Sequence, residues 1–73
     1  MDPQMLDATL NMQLTEIRER IDRAAGIAKA AEACAASGNL DKAVEITLDI
    51  EQLVYEVNTL LNAVSLMHRT GRT

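Results

Sequence analysis

The sequence has no tryptophan, no phenylalanine and a single aromatic residue, Tyr55. Sandwiches and barrels draw on aromatic side chains and frequent turns, so this scarcity points away from sheet architecture, as do only three glycines and one proline. Cys34 is the one cysteine, which excludes an internal disulfide; its neighbours Ala33 and Ala35 suit a small apolar side chain better than a reactive thiol. No run approaches the ~18 apolar residues of a membrane span. The opening Met1-Asp2-Pro3-Gln4 shows no basic, apolar, small-residue succession, so the expected location is the cytoplasm and no membrane partner is expected.

What is present is aliphatic and charged. The 73 residues are 48% hydrophobic, almost entirely Leu, Ile, Val, Met and Ala, and 25% charged with a formal net charge of −4. That balance is too apolar for a disordered tail. A chain this short buries little surface alone, and with no disulfide available the remaining source of stability is another chain. The acidity disfavours nonspecific binding to DNA or anionic lipid.

Spacing predicts an all-α antiparallel helical hairpin occupying residues 1–73 as one domain. Asp2 before Pro3 is expected to cap a first helix over about 3–36, since proline at the first helical position loses no hydrogen bond. Leu10, Leu14, Ile17, Ile21, Ala24, Ala28, Ala31 and Ala35 follow one another at alternating intervals of four and three, a heptad seam that Leu6 extends. Gly26 lies off that seam, and the helix is expected to continue through it; the alternative is a break into two shorter helices. Ser37-Gly38-Asn39 is the turn, with Gly38 suited to the left-handed position and Asn39 suited to capping the next helix. A second helix over about 40–68 follows, with Ala43, Thr47, Ile50, Val54, Val57, Leu61, Val64 and His68 as its seam, and residues 69–73 as a frayed tail after which Gly71 stops further helix. Folding about Gly38 sets Ala31 beside Ala43 or Val44, Ile21 beside Val54, Ile17 beside Val57 and Leu14 beside Leu61, in a rod about 45 Å long.

The second helix carries a second apolar series. Ile46, Ile50, Leu53, Val57, Leu60, Val64 and Met67 are also spaced by fours and threes, sharing three members with the first. One neighbouring helix cannot cover both, so Ile46, Leu53, Leu60 and Met67 are expected to stay wet in a lone hairpin and to bind a partner, with Tyr55 as an exposed anchor or a partly covered surface residue. A homodimer completing a four-helix bundle, or another helical protein, would bury the stripe. Residues 18–29 are locally basic and 41–56 locally acidic, which favours the antiparallel register within the hairpin or across a dimer.

Little in the chain suggests chemistry. His68 is the only histidine and Cys34 lies at the other end of the rod, so neither a catalytic pair nor a shared metal ion is expected, and no glycine-rich phosphate loop or nucleophile elbow occurs. No cofactor or small-molecule substrate is expected. The stretch Ser37 to Glu45 resembles the inter-helix turn of a tetratricopeptide repeat, departing at Ile50, where that repeat has a small alanine, and in the length of both helices. In size and outline the chain is similar to the small acidic hairpins that act as secretion co-chaperones. The expected function is therefore a non-enzymatic protein–protein interaction module, an adaptor or chaperone-like subunit. The alternative is a homodimeric bundle that binds structured RNA or DNA, similar to the small plasmid copy-number hairpin proteins, with Arg18, Lys29, Arg69 and Arg72 lining one surface.

Overall fold

In the computed structural model, which describes residues 2–71, the chain enters its first helix at Pro3. The Asp2 carboxylate makes no capping hydrogen bond; the Asp2 carbonyl accepts the first helical bond from the Leu6 amide at 2.9 Å. Proline, with its φ already helical, sets this start without help from the acid. Helix α1 then spans Pro3–Ala36 without interruption, Gly26 included.

The turn is built as its residues predict. Gly38 has a φ of 97°, its amide donates to the Ala35 carbonyl at 3.0 Å, and the Asn39 amide donates to the Cys34 carbonyl at 3.1 Å. These two bonds are the Schellman closure, which satisfies carbonyls that the helix end leaves open. Asn39 next accepts the Lys42 amide on its Oδ1 at 3.2 Å, capping helix α2 (Leu40–Gly71). One residue thus closes one helix and opens the other.

The two helices pack side by side in a rod of 54 × 15 × 11 Å. It is longer than the sequence suggests because α2 continues past His68 to Gly71, while Arg72 and Thr73 lie outside the described residues. Leu6 gives the reason: a Cβ on Gly71 would run into the Leu6 Cδ2, so the bare glycine lets the two chain ends pack. The partners Leu6 with Gly71, Ala31 with Ala43 along one groove, and Arg20 with Glu56 all fit the expected register.

Rotation of the helices about their own axes differs from expectation. The inner line of α1 is Leu6, Leu10, Gln13, Ile17, Arg20, Ala24, Ile27, Ala31 and Cys34; that of α2 is Ala43, Ile46, Ile50, Leu53, Val57, Leu60, Val64 and Met67. All are half-buried or better, and Ile17, Ala31, Ala43 and Leu53 are buried. Both lines keep the four-and-three spacing, turned by one heptad position from the expected seams. Among the described residues, no helix is long and apolar enough to cross a membrane.

Candidate helix-docking face

Rotation by one heptad position gives the rod two unlike sides. Four residues beyond the inner members Leu10, Ile17, Ala24 and Ala31 of α1 stand Leu14, Ile21, Ala28 and Ala35; four beyond Ala43, Ile50 and Val57 of α2 stand Thr47, Val54 and Leu61. These residues share one side of the hairpin. Ala28 and Ala35 line a groove with Leu40, Val44 and Thr47 near the turn, and Ile21 and Ala24 line the next groove with Val54 and Val57. The side is apolar yet open to water: Leu14 is 51% exposed, Ile21 51%, Val54 50% and Leu61 45%.

The other side is polar. Arg20 belongs to the inner line of α1, where its stem lies beside Ile21, Ala24 and Leu53, while its guanidinium reaches out. Its Nε donates to the Glu56 Oε1 at 2.8 Å and its Nη1 to the Glu16 carbonyl at 3.1 Å, and Gln52 donates to the second Glu56 oxygen at 3.2 Å. The hydrogen bonds from Gln52 and Arg20 hold the Glu56 carboxyl below its ordinary range. Among the described residues this is the single ion pair joining the two helices; Arg18 with Asp22 and Lys42 with Glu45 are pairs within a helix. One inner acceptor, the Oε1 of Gln13, is buried without a hydrogen-bond partner.

Of the residues predicted to bind a partner, the aliphatic ones face the hairpin's own interior. Leu53 is buried at 6% exposure, and Ile46, Ile50, Val57, Leu60, Val64 and Met67 are half-buried on the inner line of α2. The expectation that Ile46, Leu53, Leu60 and Met67 remain wet is corrected: α1 covers them. The reason lies in what each rotation of α2 removes from water. The expected seam would have buried Thr47 and His68 with Val54 and Leu61, whereas the observed one buries four large apolar side chains, which favours it by several kcal/mol on the order of the transfer scale. Tyr55 is 67% exposed, and its backbone neighbours place it beside the polar groove formed by Arg20, Glu56, Thr59 and Leu60.

Chemistry-bearing side chains are not brought together. His68 is exposed at one end of the rod, and the Cys34 thiol lies at the other, 3.5 Å from the Asn39 carbonyl. Among the described residues no three His, Cys, Asp or Glu side chains converge as a metal site would require. No family model, curated protein or solved structure matches the chain.

Proposed function

We propose that this chain is a non-enzymatic helix-packing module, which works by burying one apolar face of its hairpin against helices of another polypeptide and so completes a bundle. The observation that supports this reading is the open stripe of Leu14, Ile21, Val54 and Leu61, continued toward the turn by Val44 and Leu40. Each of the first four still shows about half of its surface to water, so covering each would contribute about 1 kcal/mol. That is a useful gain for a hairpin in which only four residues reach full burial. The face is also unlike a random scatter of surface leucines, because the opposite side has its own polar cluster and ion pair.

A photoreactive amino acid at Val54, introduced in the source cells, tests the reading. Irradiation should attach a protein there and attach none from Asn62, which is exposed on the outer side of α2. Equal or absent adducts from the two positions would overturn the docking role.

A further inference from the structure

Resting on that reading, we propose that the helices covering the apolar face are those of a second copy of this chain, laid face to face with turn beside turn, so that α1 of each copy lies against α2 of the other.

Size supports a hairpin rather than a single helix as the occupant. The rod presents a side 54 Å long and 15 Å wide, a footprint of about 800 Å², which is what each partner of a standard stable interface buries. The exposed apolar residues run from Leu40 near the turn to Leu14 and Leu61 toward the open end, and they come from both helices. One incoming helix, about 10 Å across, would cover one edge and leave the other wet. Two antiparallel helices of the same length are needed, and this chain is such an object.

Charge fixes the direction. Arg18 stands on the rim of the apolar face, four residues from Leu14 and three from Ile21, and close to the middle of α1. If the copies lay head to tail, α1 would meet α1 and the two Arg18 side chains would come together at the dyad. With turn beside turn, the Arg18 rim instead faces the rim of α2 in the other copy, which is Val44, Glu51, Asn58 and Ser65, containing one anion and no cation. Every neighbouring pair of helices then runs antiparallel and carries opposite sign.

Layering agrees with this direction. Leu14 and Leu61, Ile21 and Val54, and Ala28 and Thr47 lie at matching heights within one hairpin, as the grooves that Ile21 shares with Val54 and Ala28 with Thr47 show. A two-fold axis along the rod keeps those heights, so each layer meets its own kind. Alanine layers allow close approach near the turn, and leucine layers fill the wider end.

Sedimentation of the purified chain, combined with a nitroxide distance measurement, tests both parts. Wild-type protein should sediment at twice its 8.0 kDa mass. Val54→Glu should weaken the dimer by on the order of 100-fold while helicity persists, and Leu61→Gln should weaken it less, giving a second readout in case the first variant unfolds. With Cys34→Ala and Ser37→Cys, spin labels at the two turns should lie within about 30 Å, the width of a four-helix bundle plus the label arms. A monomer at all concentrations overturns the proposal; if Val54 still crosslinks to another protein in cells, the docking reading survives without it. A label separation approaching the 54 Å rod length overturns the turn-beside-turn arrangement.

Discussion

The two sides of the rod differ more than its two helices do. On one side a cross-helix ion pair, its stem packed on the seam and its head held by Glu56 and Glu16, closes the edge of the interior with polar groups that water accepts. On the other, half-exposed leucine, isoleucine and valine stand where such a closure would be, so the interior is continuous with an apolar surface. A helix with an apolar arc wider than one neighbour can cover must leave one edge of that arc unfilled. Which edge is left open decides where a partner binds.

Leu53 and Val54 turn that contrast into a measurement, because they are adjacent in sequence and point to different places. Leu53→Ala removes a buried side chain and should cost about 2–4 kcal/mol, enough to melt much of the hairpin at room temperature, read as lost helical circular dichroism. Val54→Ala should cost well under half of that in the isolated hairpin. If the two variants melt together at the same temperature, the inner and outer lines are wrongly assigned.

A smaller effect of opposite sign is expected inside the seam. Gln13 leaves its Oε1 buried without a partner, so Gln13→Leu should stabilise the hairpin by about 1 kcal/mol by removing the orphaned acceptor and filling the heptad position with an apolar side chain. The thermal midpoint reports this directly. A lower midpoint would mean that the amide carries a packing role which leucine cannot take.

Gly26 offers a comparison away from both the seam and the apolar stripe. A Cβ there meets nothing within 4 Å and the position is fully helical, so Gly26→Ala should raise stability by up to about 1 kcal/mol through helix propensity alone. For a chain of this size that is roughly 4–8 °C in thermal midpoint. The association of the apolar face should be unchanged once stability is matched.

Much of the architecture was legible in the spacing. The helix over Pro3–Ala36, the turn at Gly38 and the Asn39 cap each follow from a local rule with little competition, and the register follows from folding two helices of similar length about a three-residue turn. Rotation was harder to read, because Ile50, Val57 and Val64 belong to both apolar series of the second helix. On the first helix the deciding positions, Gln13 and Arg20, carry polar ends and look like surface residues. Their stems are apolar, and their spacing from Leu6 and Ile27 was the available signal: Ile27 had no place in the expected seam and sits squarely in the observed one. The candidate face was therefore sought on the covered edge of the stripe, while its existence followed correctly from the width of that stripe.

The polar side should reveal itself through acid. Hydrogen bonds from Gln52 and Arg20 favour the charged form of Glu56, so its carboxyl in the folded hairpin titrates below the ordinary value of 4.5. A group whose folded pKa is depressed contributes stability that is fully present above its unfolded pKa and is lost as pH falls through the folded one. Thermal midpoints measured from pH 7 downward should therefore hold steady to about pH 5 as far as this residue is concerned, and then decline. Glu56→Gln keeps a hydrogen-bond acceptor for Arg20 but has no proton to gain, so the variant should start with a slightly lower midpoint at pH 7 and show a shallower acid decline. Salt should narrow the gap between the two proteins at pH 7, because the pair is only partly shielded from solvent. Val54→Ala, on the apolar side, should leave the shape of the acid profile untouched. If its profile changes as much as that of Glu56→Gln, the two sides are not electrostatically distinct and the contrast between them fails.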